Sequence, residues 1–184
     1  KLNFFRVTGW RGELHGKEGQ AFIWQSIDKI DVDPMLPANA PVLRALALPK
    51  LYGITHAAHV GAERFLARLQ LALDAGLRLV QVREPSWSEA EREGFAQRVV
   101  QLAHQHNARV LINGDTDLAA RSGADGVHLR AQQLFELKTL PDCRLVGASC
   151  HDRRELDRAA ALGVDFVVLG PVAATPTHAS ATPL

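Results

Sequence analysis

The sequence predicts an α/β protein whose larger part is an incomplete (β/α)8 barrel of about six βα units. Three observations predict it. From residue 51 onward, short apolar runs alternate with helical stretches, the pattern of a parallel sheet with helices outside it. Glycines stand where those helices should stop, each with a new apolar run close behind. The segment after the first run, Tyr52-Gly-Ile-Thr-His-Ala-Ala-His59, has one glycine, too few for the phosphate loop of an open dinucleotide-binding sheet, so the barrel is favoured over a doubly wound sheet.

Taken in order, residues 1–48 differ in texture from residues 49–184, with Pro41 and Pro49 bracketing the change. Two domains are expected with that boundary. In the first, Leu2 to Val7 and Gln20 to Ser26 read as strands, Phe22 and Trp24 alternating as on a half-buried strand. Pro41 to Ala47 reads as a short helix with proline in its first turn. In the second, strands are expected at about 51–55, 78–83, 109–113, 125–129, 144–149 and 165–170. Phe65, Leu66, Leu69 and Leu73 form the apolar face of the first long helix. Ser86 with Glu89, and Asp152 with Glu155, have capping-box spacing. Gly76, Gly123 and Gly163 suit left-handed helix ends that turn the chain back to the sheet, a supersecondary repeat without a repeat in the sequence.

Composition narrows the function. Hydrophobic residues make up 47% of the 184, enough for a sizeable core. With 21 basic and 20 acidic residues the net charge is +1, which gives no general attraction to a nucleic acid polymer or a membrane. An anionic ligand must therefore be held by a local site. Cys143 and Cys150 have no metal-ligand spacing and are too few for a disulfide framework. With no apolar run near 18 residues and no leader, a soluble, cytoplasmic protein is the expectation. Both ends read as cut, so a piece of a longer protein is expected.

In a parallel barrel, functional groups stand at the C-terminal strand ends. There the sequence places Gln81 and Arg83; Asn113 with Gly114, Asp115 and Asp117; His128; Ser149, Cys150 and His151; and Gly170, Pro171, Thr175, Thr177 and His178. Arginine, amide, hydroxyl and backbone N–H groups converging on one end make a phosphate or diphosphate cradle. Structural alternatives stand beside each. Arg83 could pair with a carboxylate, Asn113 could end a strand, and His128 could be a satisfied core histidine. Asp115 and Asp117 could be helix caps, Asp117 the more so, and Ser149 or Asp152 an N-cap. Thr175 to Thr177 could be an ordinary turn.

Together, Val80-Gln-Val-Arg-Glu84, Leu111-Ile-Asn113, Gly123-Ala-Asp-Gly-Val-His-Leu129, Val146-Gly-Ala-Ser-Cys-His151, Gly163-Val-Asp-Phe-Val167 and Gly170-Pro-Val172 with Thr175 and Thr177 resemble the thiamine phosphate synthase/TenI family in correct order. The resemblance implies a TIM-type barrel in which Gln81, Arg83, Asn113, Ser149, Thr175 and Thr177 line a site for the pyrimidine diphosphate, which thiazole phosphate attacks with Mg²⁺ assistance. Departures accompany the matches. Synthases usually have Asn-Asp where this chain has Asn113-Gly114, and Gly-Gln-Glu-Asp where it has Arg130-Ala-Gln-Gln133, so both expected Mg²⁺ carboxylates are missing. Two expected lysines are Pro85 and His178. Asp115 is the nearest acidic replacement for the metal. TenI-like members use a histidine after the fifth strand for proton transfer on a thiazole, and His151 matches it. The substrates implied are small phosphorylated thiamine precursors; the alternative is a non-catalytic precursor-binding or regulatory module.

The amino-terminal stretch Trp10-Arg-Gly-Glu13 through Gly16-Lys-Glu-Gly-Gln20, with Trp24 and Leu36-Pro-Ala-Asn-Ala-Pro-Val42, resembles the C-terminal half of MutT-type Nudix hydrolases, the 8-oxo-dGTP diphosphatases. That resemblance implies a diphosphatase fused to the barrel, with Glu18 near a metal–diphosphate centre holding Mg²⁺ and Asn39 on the oxidised guanine, an amide offering both donor and acceptor. On the residues alone, Glu18 could equally be a solvated loop charge and Asn39 a helix cap. The Nudix box itself is not in these 184 residues, so the chain alone is expected to lack diphosphatase activity.

Overall fold

A computed structural model describes residues 4–27 and 29–172. The chain divides into two compact units, Lys1–Ala47 and Leu48–Leu184.

In the first unit, a 3-10 turn (Pro37–Asn39) runs into helix α1 (Ala40–Leu46), with proline in its first turn as expected. The two expected strands are not formed among the described residues of 4–7 and 20–26, where an isolated antiparallel bridge, Ser26 with Lys29, is the β pairing present. A strand needs a neighbouring ladder to take up its N–H and C=O groups, and the described part of this unit offers none. Phe22, Ile23 and Trp24 are all exposed, so the alternation separates no faces. Trp24 instead stacks at a tilt on Trp10, ring centroids 5.5 Å apart.

The second unit begins with strand β1 (Gly53–Ile54) and the short helix α2 (Ala57–Val60), followed by α3 (Ala62–Asp74). Then β2 (Leu79–Val82), α4 (Glu89–Gln105), β3 (Arg109–Asn113), α5 (Thr116–Ser122) and β4 (Gly126–Leu129) alternate. After α6 (Gln133–Glu136) come β5 (Leu145–Cys150), α7 (Arg153–Leu162) and β6 (Phe166–Leu169). Every strand falls where the apolar runs put it. The six strands form one sheet in the order β1-β2-β3-β4-β5-β6, and every ladder is parallel. A doubly wound sheet reverses its strand order part-way. This one never does, which makes it a parallel half-barrel, with β1 and β6 as its edges.

Burial on both faces explains why the four central strands, β2 to β5, are mainly apolar, whereas Val167, Val168 and Leu169 of the edge strand β6 are exposed. On the outer face, Val80, Val82, Val110 and Ile112 pack with Leu66, Leu69 and Leu73 of α3, Phe95 and Val99 of α4 and Leu118 of α5. Each such fully buried side chain contributes roughly 1.5–3 kcal/mol. Val127, Leu129, Val146 and Ala148 do the same against Leu134 of α6 and Ala159 of α7. On the inner face, Leu79, Leu111 and Leu145 form a layer with Leu48, Tyr52 and Phe166 packed on it. Side chains alternate along a strand, so counting by two from that layer toward the strand ends reaches Gln81, Arg83, Asn113, Ser149 and His151.

The ends of the helices refine the expectations. The capping box of α4 is Ser88 with Glu91, two residues beyond the expected Ser86 with Glu89. Trp87 packs edge-on against Phe95, ring centroids 5.0 Å apart, which fixes the chain so that Ser88 stands at the N-cap. Asp152 caps α7 through the Glu155 N–H, but the Glu155 carboxylate accepts from the N–H of His151 rather than from the cap residue. Gly123 and Gly163 take left-handed conformations at the ends of α5 and α7, with φ of +71° and +80°. Two residues after each comes an aspartate. Asp125 accepts from the N–H of Val110, and Asp165 from that of Val146, both at 2.8 Å. The αβ turns thus do share a short sequence motif, Gly-x-Asp, in which the glycine stops the helix and the carboxylate ties the next strand to its neighbour.

Candidate active site at the carboxyl ends of the strands

The inner layer is apolar at its base and polar above it. Gln81, Arg83, Asn113, His128, Arg130, Ser149 and His151 line a cavity of about 380 Å³, closed on its β6 side by Val168, Gly170 and Pro171. These seven side chains come from inward positions at or next to a strand end, and Tyr52 joins them from the start of β1, so the fold collects the polar groups without any one loop holding the site.

At the base of the cavity, four side chains form a hydrogen-bonded chain. Gln81 Nε2 donates to the Tyr52 hydroxyl at 2.9 Å, that hydroxyl lies 3.2 Å from His128 Nδ1, and His128 Nε2 lies 2.9 Å from Ser149 Oγ. An amide N–H₂ only donates, so Tyr52 is the acceptor of the bond from Gln81. In the Nε2–H tautomer of His128, Tyr52 receives from Gln81 and donates to Nδ1, His128 donates from Nε2 to Ser149 Oγ, and the Ser149 hydroxyl hydrogen is left for another acceptor. His128 is 2% exposed. Burial first, then the charge of Arg83, pull its pKa down from 6.5 to about 4, so the imidazole is neutral at neutral pH. Burial pushes the Tyr52 hydroxyl up, partly offset by the bond from Gln81. A Cβ on Gly147 would lie 2.9 Å from both His128 Nδ1 and Phe166 Cε1, so glycine there makes room for the two rings.

His151 stands at the rim. Its Nδ1 is 3.0 Å from a carboxylate oxygen of Glu155, a partner that fixes the ring and favours Nδ1–H. Arg83 is placed by its backbone, whose N–H donates to Thr55 Oγ1 at 2.9 Å. The expected alternative, an ion pair for Arg83, is not formed among the described residues. The neighbouring Glu84 points the other way and accepts from the N–H groups of Ala57 and Ala58 at 2.6 and 2.9 Å. Asp115 is the N-cap of α5, accepting from the Leu118 N–H at 2.9 Å. Asp117, the other candidate cap, lies inside the first turn, because the helix starts at Thr116, two residues before an Asp117 cap would start it. Thr175, Thr177 and His178 lie outside the described residues.

The match to known proteins completes the picture. The model of the family described as thiamine monophosphate synthase matches residues 51–184, which takes in all six strands and every residue of the cavity. The chain belongs to the thiamine monophosphate synthase family. It is 40% identical over 126 residues to the thiamine-phosphate synthase of Synechococcus sp. (strain WH7803), an alignment covering 67% of this chain and 36% of that one. It is 38% identical over 138 residues to the thiamine-phosphate synthase of Thermosynechococcus vestitus, covering 73% and 38%. The chain thus spans little more than a third of the length of these relatives. Among solved structures, the thiamine phosphate pyrophosphorylase from Pyrococcus furiosus superimposes with a TM-score of 0.58 at 24% identity, over 73% of this chain and 65% of that one. That likeness bears on the fold.

Against the family's use of Mg²⁺, the donors present here do not fit. Among the described residues, no acidic side chain lines the cavity. One oxygen of Asp115 is committed to its helix, and the described residues contain no cluster of three or more His, Cys, Asp or Glu able to hold a metal. Hard Mg²⁺ takes oxygen ligands, usually one or two carboxylates plus substrate phosphate. Sequence reading passed over three residues of this site. Tyr52 lies at the beginning of a strand rather than its end, Arg130 continues the alternation from His128, and Glu155 stands one helical turn from His151, a spacing that could have found it.

In the first unit, Glu18 lies in an exposed turn with its N–H on Gln20 Oε1. Asn39 occupies the N-cap position of α1 without making the cap bond, its amide directed to Met35 Sδ at 3.3 Å. The family match begins at residue 51 and does not extend to either. Among the described residues, no helix is long and apolar enough to cross a membrane.

Proposed function

We propose that the cavity binds a phosphorylated thiamine precursor, thiazole phosphate or pyrimidine diphosphate, and that its chemistry is proton transfer by His151 rather than metal-assisted diphosphate displacement. The observation that carries this reading is the convergence of Gln81, Arg83, Asn113, Ser149 and His151 on one cavity with no carboxylate among the lining groups. Arg83 is the phosphate ligand, since a guanidinium forks onto phosphate oxygens. Ser149, polarised through His128 and Tyr52, and the Asn113 amide orient the heterocycle. His151, held at Nδ1 by Glu155, removes a proton from one carbon of a bound thiazole and returns it to another, an isomerisation with no net change in protons.

Two assays on the protein test this. Exchange of the thiazole proton into deuterated water, followed by NMR, should be catalysed by the wild type and fall by roughly 10²-fold or more in His151→Ala. Thiamine phosphate formation from pyrimidine diphosphate, thiazole phosphate and Mg²⁺ should be slow. Rapid formation that Arg83→Ala abolishes would replace this reading with a working synthase. Binding of either precursor with neither exchange nor condensation would make the domain a binding module.

For residues 1–48, a MutT-like role with Glu18 near a metal and Asn39 on the base rests on the quoted sequence pattern alone. Binding of 8-oxo-dGMP that is weakened in Asn39→Ala would support it, and no binding would remove it.

A further inference from the structure

The proposed function gives no task to Arg130, the second guanidinium on the cavity. We propose that Arg130 stands in for the divalent cation of the family's site, so that this cavity holds a phosphate or diphosphate group without metal; the inference rests on reading the cavity as a phosphate site. Arg130 meets both positions where the family's carboxylates are replaced. At the first, Gly114, a Cβ would fall 2.8 Å from Nη2 and 2.9 Å from Cζ of Arg130. The guanidinium therefore lies directly on the Gly114 Cα, in space that an aspartate side chain would fill. At the second, Gln133 bridges the same two loops, accepting from the Arg130 N–H at 2.9 Å and donating to the Gly114 carbonyl at 3.1 Å. A carboxylate could accept from Arg130 but could not donate to that carbonyl. The glycine, the arginine and the glutamine fit one another, and each alone would be a misfit in a carboxylate site.

Charge points the same way. Arg83 and Arg130 both line the cavity, neither makes an ion pair among the described residues, and no lining residue is acidic. Two unit positive charges in one cavity repel a divalent cation and attract a dianion. Planar guanidinium groups meet phosphate oxygens two at a time, so the pair supplies both the charge and the geometry that a metal otherwise brings.

Calorimetric titration of inorganic pyrophosphate into the protein, once with EDTA and once with Mg²⁺, is the test. The expected result is binding in EDTA at least as tight as in Mg²⁺, weakened about tenfold or more in Arg130→Gln and less in Arg130→Lys, which keeps the charge but loses the fork. Arg130 is exposed, so neither variant should change the melting curve. Binding that requires Mg²⁺ would overturn the inference and leave the phosphate site standing. Binding in EDTA that Arg130→Gln does not weaken would also overturn it. No binding in either buffer would remove the phosphate reading and the inference together.

Discussion

A neutral imidazole at position 128 sets the direction of the hydroxyl chain beneath the cavity, and it also makes the protein sensitive to acid. The unfolded chain takes up a proton on this histidine near pH 6.5, whereas the folded protein declines it until about pH 4. The stability at stake is complete above pH 6.5 and is lost as the pH falls from there toward 4, about 2 kcal/mol of it by pH 5. Urea unfolding at pH 7 and pH 5 should show this loss in the wild type and a smaller one in His128→Gln. Truncating Arg83 removes a charge-assisted phosphate contact worth about 1.5–3 kcal/mol, so Arg83→Ala should bind pyrophosphate roughly 10- to 100-fold more weakly without a change in melting temperature. At this scale the sequence showed which residues face the cavity better than what they touch. Gln81, Arg83, Asn113, Ser149 and His151 follow from period-two alternation along strands whose positions were plain. That Gln81 reaches Tyr52, or that Glu155 orients His151, depends on how neighbouring units pack, which spacing along one unit does not encode.

Two devices at the level of the element position the site. The Gly-x-Asp turns stop α5 and α7 and tie β4 and β6 to their neighbours through Asp125 and Asp165. Gly163→Ala forces a Cβ into a left-handed conformation and should cost about 1–2 kcal/mol in denaturant unfolding. Gly147→Ala acts differently, since its Cβ would crowd His128 and Phe166. It should cost about 1–3 kcal/mol and also reduce proton exchange, because the displaced imidazole no longer reaches Ser149. Strand and helix positions were legible because buried parallel strands read as apolar runs and glycine marks each stop. The Ser86–Glu89 assignment missed by two residues because Ser88 and Glu91 have the same spacing, and only the packing of Trp87 on Phe95 chooses between them. Among the described residues of 4–7 and 20–26 the expected strands do not form for a different reason, since an alternating pattern states a preference that only a partner ladder can satisfy.

At the scale of the whole molecule, every fully buried hydrophobic residue among the described residues belongs to the second unit, from Ala57 onward. Deleting residues 1–47 should therefore leave the unfolding midpoint and the pyrophosphate affinity of the rest almost unchanged, as a two-state melt of each form would show. A large drop would mean that the first unit contributes to the stability of the second. The sequential strand order has a consequence of another kind, for the time course of synthesis. Among the described residues, each strand pairs only with those one βα unit before and after it, and no ladder partner lies farther along the chain than Leu79 from Arg109. Closing such short loops is entropically cheap, and contacts between near neighbours form fast. As the ribosome extends the chain, each new unit finds its template already in place, so the sheet can grow strand by strand in the order in which it is translated. The residues of the cavity would come together in the same sequence, with Gln81 and Arg83 waiting at the mouth before Ser149 and His151 have been made.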